Sequence, residues 1–147
     1  MRLPESQRLA QRLLTYEAVA GEHSEPAESA AFRVCAKLRR PLITFAGVAG
    51  FRSLLSRALT LARAEAPSLS AVQVAADGSL QGQDEFASQT DKGQARDGGA
   101  ILIAQLTGLL FTFIGESLTL RLVQDVWPEA AFDGRVSEKE RKLERTR

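Results

Sequence analysis

The chain has 147 residues and a mass of 16.0 kDa, with 44% hydrophobic and 25% charged side chains, and its 19 basic and 18 acidic residues leave a formal charge of +1. A chain of this length buries a core without disulfide or metal staples, and this composition lies outside the disordered and fibrous classes. A single Cys and a single His exclude an internal disulfide and any zinc site built from several thiolate or imidazole ligands of this chain, and a catalytic group of the Ser/His/Asp or Cys/His type would have to use His23.

From Pro4 to Ala20, Leu9, Leu13, Tyr16 and Ala20 recur at helical spacing, with Arg8, Arg12 and Glu17 assigned elsewhere, and Pro4 suits a first turn; the pattern predicts helix one. Ala18-Val19-Ala20 has the small-residue form of a signal-peptide cleavage site, but Glu5, Arg8, Arg12 and Glu17 interrupt the apolar stretch such a signal needs. Gly21 closes the helix. The segment to Pro26 reads as a polar link in which Ser24 caps the next helix, placing His23 in a loop or cap. A helical pattern then runs from Ala27 to Ala66. Pro41 lacks an amide donor and clashes with the preceding turn, so a break is expected near Arg40, with helix two before it and helix three running from Pro41 or Gly50 to a stop at Pro67.

Charge is concentrated in this region. Between Ser29 and Ala64 stand Arg33, Lys37, Arg39, Arg40, Arg52, Arg57 and Arg63 with no acidic residue among them. Arg33, Lys37 and Arg40 fall at i, i+4 and i+7, so three like charges share a helix face, which is unfavourable unless acidic neighbours or an anionic partner neutralise them. Glu22, Glu25, Glu28, Glu116 and Asp125 are the acidic neighbours on offer; Arg33, Lys37, Arg40, Arg52 and Arg57 are the candidate contacts to an anionic partner. In Phe45 to Phe51, Gly47 and Gly50 resemble the GxxG loop of KH domains. Such a domain needs a three-stranded sheet that this sequence does not offer, and the glycine spacing is one residue longer than in a helix-hairpin-helix turn. The reading that remains is that Ala46, Gly47, Ala49 and Gly50 are small so that two helices can cross closely.

Beyond Pro67 the helical period disappears. Val72 and Val74 alternate with polar neighbours, and Asp77-Gly78 is a hairpin-type turn before Leu80, so a short β-hairpin is expected. Gln81 to Gly99 reads as a long mobile loop. Ala100 to Trp127 is the dominant element, a helix apolar on more than one face through Leu102, Leu106, Leu109, Phe113, Leu120 and Trp127 and closed by Pro128. Glycine inside a helix costs about 1 kcal/mol relative to alanine, so Gly108 and Gly115 are expected to mark a close approach, as are Gly47 and Gly50, with Trp127 as a core or interface anchor. Gln105, Thr112, Glu116 and Thr119, at i, i+7, i+11 and i+14, form one polar stripe; if it faces inward, Glu116 is a buried carboxylate seeking a cation or a ligand. Glu129 to Arg147 loses its apolar period and ends in a charged run, and no internal repeat is visible.

These signals predict an all-α fold: a four- to five-helix bundle around a long apolar C-terminal helix, with a short hairpin and a mobile loop over 68–99, one domain over 1–131 and a disordered charged tail over 132–147. The expected function is that of a non-catalytic binding or regulatory protein of the cytoplasm, working without metal or cofactor through self-association or a partner protein. Alternatives are a nucleic-acid-associated protein using the basic face, a small-ligand receptor or enzyme around Glu116, and attachment to an anionic membrane surface. No transmembrane segment is expected, because Ala100 to Ile114, interrupted by Gln105, Thr107, Gly108 and Thr112, falls short of the roughly 20 residues a span requires.

Overall fold

In the computed structural model, which describes residues 5–20, 30–82, 86 and 92–128, the chain is all-α apart from one small hairpin. Helix α1 spans Glu5–Ala20. A helical run over Ala30–Glu65 is interrupted by Gly47, at φ 84° and ψ 162°, and so forms two limbs, α2 (30–46) and α3 (48–65). A 3-10 turn over Pro67–Ala71 leads into strands β1 (Gln73–Val74) and β2 (Leu80–Gln81), paired antiparallel with Gln73 opposite Gln81 and Val74 opposite Leu80. Helices α4 (Lys92–Ile114) and α5 (Glu116–Val126) follow, separated by Gly115 at φ 89° and ψ 158°.

Contacts at the helix ends show that α2 and α3 fold back on each other. Ala31, at the start of α2, lies against Gly99, while Ser68 and Leu69, just past the end of α3, lie against Gly98. At the opposite end, Leu42 and Ala46 of α2, Gly50 and Leu54 of α3 and Leu110 and Ile114 of α4 line one groove. The core between them is built by Val34, Leu38 and Leu42 of α2, Leu55, Ala58 and Ala62 of α3, and Leu102, Leu106 and Leu110 of α4, all buried. The N-terminus of α1 is fixed to the middle of α4 by the Thr107 hydroxyl, which donates to the Ser6 carbonyl at 2.8 Å. Arg63 donates to the carbonyls of Leu69 and Val72 and so holds the 3-10 turn against α3. The β-hairpin is held on α2 by Arg39, whose Nε donates to the Asp77 carbonyl at 2.8 Å.

The polar centre of the fold is Glu17 of α1, 1% exposed among apolar neighbours. Its Oε2 accepts from Lys37 Nζ at 2.5 Å and Trp127 Nε1 at 2.7 Å, its Oε1 from Arg33 Nε at 3.3 Å, and its backbone carbonyl from Arg33 Nη2 at 2.9 Å. One carboxylate thus ties α1 to α2 and to the residue that closes α5. A buried carboxylate is tolerated only when paired and hydrogen-bonded, and here both conditions are met.

The sequence shows no repeat to the eye, but the structure contains one. Positions 68 residues apart occupy equivalent places: Val34 and Leu102, Cys35 and Ile103, Leu38 and Leu106, Leu42 and Leu110, Phe51 and Thr119, Leu55 and Val123, and Leu59 and Trp127 are buried in both copies. Thr44 and Thr112 each donate to the carbonyl four residues back, and Gly47 and Gly115 share one backbone conformation. The α4–α5 pair is therefore a second copy of the α2–α3 hairpin. The equivalent residues Ala31 and Gly99 touch.

Several expectations change. The helix is not broken at Pro41, because Leu38 and Leu42 on either side of it are buried in the core and their packing outweighs the missing amide; the reversal comes at Gly47. The expected single helix from Ala100 to Trp127 is two helices, and α4 begins at Lys92 rather than at Ala100. Gly98 and Gly99, which read as loop residues, lie in α4 where a Cβ on Gly99 would stand 2.8 Å from Ala31, so tertiary packing overrides their weak helix propensity. Phe86, inside the expected loop, is buried and stacks on Phe32 with ring centroids 5.8 Å apart. At the two ends of that loop, Gln81 belongs to β2 and residues from Lys92 onward to α4, while the expectations for His23, the cap at Ser24, residues 83–85 and 87–91 of the loop and the tail lie outside the described residues.

Burial pushes the Glu17 carboxyl up, but the hydrogen bonds from Lys37 and Trp127, the Lys37 charge and the Arg33 hydrogen bond outweigh it and hold the group below its ordinary value of 4.5. A carboxyl lowered on folding adds stability that is complete above about pH 4.5 and is lost as the pH falls through the lowered folded value. Glu17→Gln keeps the shape and removes the charge. We expect it to lower stability at pH 7 by about 1–3 kcal/mol and to flatten the acid limb of a stability–pH curve measured by urea unfolding. An acid limb identical in the two proteins would show that Glu17 carries none of it.

Candidate functional site

Two helix reversals made in a single residue each create the most distinctive surface of the molecule. Gly47 and Gly115 lie in a backbone region that is essentially restricted to glycine, and no side chain stands within 4 Å of where a Cβ would be. These glycines are therefore present for conformation, not for the close helix crossing expected of them. Gly50 faces Ala46 across the Gly47 reversal, where a Cβ on it would stand 3.1 Å from the Ala46 methyl, a close approach as expected, whereas a Cβ on Gly108 would stand 3.7 Å from the Ser6 hydroxyl, an ordinary contact.

Because the helices reverse so tightly, the residues beside each glycine project from the end of the fold. Phe45 is 51% exposed, Val48 42% and Phe113 66%, and these are the exposed large hydrophobic residues among the described ones. Phe45 and Phe113 are equivalent positions of the two hairpins. Between them lies a groove of about 340 Å³ whose floor includes Leu42, Leu110, Ala46 and Ile114, again two equivalent pairs, with Leu54 and Arg57 at its side. Apolar side chains held out in water at one place mark an interaction surface more often than isolated exposed residues do.

The five cations expected to meet an anionic partner divide. Arg33 and Lys37 are drawn to Glu17, so the stripe they form with Arg40 is neutralised at one end by an acidic neighbour that sequence reading had placed on the other side of α1. Arg40, Arg52 and Arg57 are exposed, and so is Arg121 of α5, which the sequence did not single out; none of these four forms an ion pair among the described residues. The polar stripe of Gln105, Thr112, Glu116 and Thr119 does not persist, since Gly115 divides it between two helices. Gln105 donates to Glu65, Thr112 to the Gly108 carbonyl and Thr119, buried, to the Gly115 carbonyl, while Glu116 is exposed at the start of α5. Trp127 is the buried anchor expected, with its indole N–H on Glu17.

A second cleft, about 240 Å³, lies between α2 and the β-hairpin and includes Phe32, Cys35, Arg39 and Asp77. Cys35 is buried, and burial pushes its thiol up to about 12, so it is a neutral packing group at physiological pH. Among the described residues no group of three or more His, Cys, Asp or Glu side chains is placed to hold a metal ion. No family model matches this sequence, and neither a curated protein nor a solved structure matches it.

The turn glycines allow a clean test, because open space around them leaves only the backbone penalty. Gly47→Ala and Gly115→Ala should each cost about 1–3 kcal/mol in chemical denaturation. A loss under a few tenths of a kcal/mol at either site would mean that this turn is not built as described.

Proposed function

We propose that this chain is a non-catalytic binding domain, its helices forming one bundle of two hairpins that presents the apolar end around Phe45 and Phe113 to a partner. The observation that carries this reading is the pairing of two exposed phenylalanines, at equivalent positions of two hairpins, across an apolar groove. Two such side chains stand in water at a cost that a folded core would have removed, and burial of each against a partner recovers on the order of 2 kcal/mol. A nucleic-acid reading draws on Arg40, Arg52 and Arg57 but leaves the phenylalanines unexplained, and the engagement of Arg33 and Lys37 by Glu17 takes two of its five cations away.

The test is direct. A hydrophobic dye that fluoresces on apolar surface should bind the native protein, and the double substitution Phe45→Ser with Phe113→Ser should remove most of that signal while leaving the thermal midpoint within a few degrees, since both residues are exposed. A dye signal unchanged by the double substitution would place the accessible apolar surface elsewhere and end this reading.

A further inference from the structure

The occupant of the apolar end is set by the charges that surround it. From Leu42 to Phe51, and again from Gly99 to Gly115, the chain carries no charged residue, so both reversals and the helix turns leading to them are uncharged. Below this cap lie Arg40, seven residues before Gly47, Arg52, five after it, and Arg121, six after Gly115. At about 1.5 Å of rise per residue these guanidinium-bearing positions stand roughly 8–11 Å behind the reversals. Asp77, which the β-hairpin brings against Arg39 and beside Phe51, and Glu5, whose neighbour Ser6 packs near Gly108, stand at a similar level but are each paired with an arginine, Arg39 and Arg8, so Glu116 is the acidic residue there that forms no ion pair among the described residues. The surface is thus an apolar cap with protruding aromatic side chains, backed by a cationic belt.

Two occupants of opposite electrostatics compete for such a surface. In an isologous pair of this chain the belt would meet its own copy, Arg against Arg, with Glu116 the acidic residue not already paired to an arginine among the described ones; like charges across an interface are costly. An anionic lipid surface meets the belt with opposite charge and the cap with hydrocarbon. The depth also agrees, because interfacial proteins insert their apolar face about 5–10 Å into the boundary between headgroups and acyl chains, which would bring the belt to the level of the lipid phosphates.

Hydropathy points to the same end of the molecule. Two helical runs are apolar and long enough to cross a membrane by length and composition, within Ala30–Glu65 (mean hydropathy 1.3) and over Asp97–Ile114 (1.6). In the first, neither limb is apolar by itself: α2 carries Arg33, Lys37, Arg39 and Arg40, and α3 carries Arg52, Arg57, Arg63 and Glu65. Its uncharged stretch straddles Gly47, where the chain turns back, and the second ends at Gly115. The first stretch, which reverses midway, is suited to dipping into one leaflet, not to spanning two.

The geometry points to peripheral attachment of this protein to anionic bilayers, with Phe45, Val48 and Phe113 inserted among the acyl chains and Arg40, Arg52 and Arg121 on lipid phosphates. This assignment rests on the apolar end being a binding surface, and its test separates the two. The full chain is sedimented with vesicles of phosphatidylcholine containing about 30% phosphatidylserine and with phosphatidylcholine alone, at low and at moderate salt. Binding is expected to the anionic vesicles, weakened by salt, and lowered at least tenfold both by Phe45→Ser with Phe113→Ser and by Arg40→Gln, Arg52→Gln and Arg121→Gln together. Absence of sedimentation, or binding indifferent to the phenylalanines, overturns it. If sedimentation fails while light scattering shows a dimer that the phenylalanine substitutions dissociate, a second copy occupies the cap and the lipid assignment falls with the binding surface intact. If the protein is also monomeric and the dye signal ignores the substitutions, both readings fall.

Discussion

A helix that must reverse direction within one residue can do so only where the backbone leaves the region open to side-chain-bearing residues, and this fold does it twice, at Gly47 and Gly115, with φ and ψ agreeing to within a few degrees. Everything characteristic of the molecule depends on that constraint. The reversals convert two helical runs into two hairpins and lay Leu42 against the same groove as Leu110. They also leave the residue two before each glycine, Phe45 and Phe113, with no following helical turn to cover it. The exposure of this end is a consequence of how the chain turns, and its apolar character comes from the residues placed there, Phe45, Val48 and Phe113.

The two hairpins are built to one plan and then differ where they meet other parts of the chain. Phe51 of the first copy packs against the β-hairpin at Gly78, where a Cβ would come within 2.8 Å of its ring; the equivalent Thr119 turns its hydroxyl back on its own helix. Leu59 is an ordinary core residue, whereas its equivalent Trp127 reaches the Glu17 carboxylate with its indole N–H. Val48 is matched by Glu116 and Arg52 by Leu120, so the cationic side of the cap belongs chiefly to the first hairpin. Glu17 closes the other end. Breaking a buried hydrogen-bonded charge costs far more than its net contribution when intact, so the cluster of Glu17 with Arg33, Lys37 and Trp127 specifies how α1 lies against α2 and α5.

Much of the architecture was legible. The all-α class, helix one, the stops at Pro67 and Pro128 and the hairpin at Asp77-Gly78 all follow from periodicity and turn chemistry, because those are local properties. The site was legible in part. Gly47 and Gly115 stood out, yet the reason assigned to them was close packing. Phe113 was placed on the apolar face of a continuous helix, and only a reversal at Gly115 moves it to the exposed end. Glu17 was read as a polar-side residue although it stands four after Leu13 on the buried stripe of α1; that spacing was the one signal that could have found it.

What the sequence by itself determined is the set of helices and the composition of their faces, since a 3.6-residue period records which side chains seek burial. Only the tertiary structure decided how those faces pair. A glycine in a helical pattern reads the same whether it serves a crossing or a reversal, and a cation reads the same whether a distant carboxylate claims it, as with Arg33 and Lys37, or, among the described residues, none does, as with Arg40 and Arg52. Those distinctions are set by contacts between residues far apart in the chain, and the repeat of 68 residues stayed hidden for a related reason: the two copies conserve burial and backbone conformation, while most of their side chains differ.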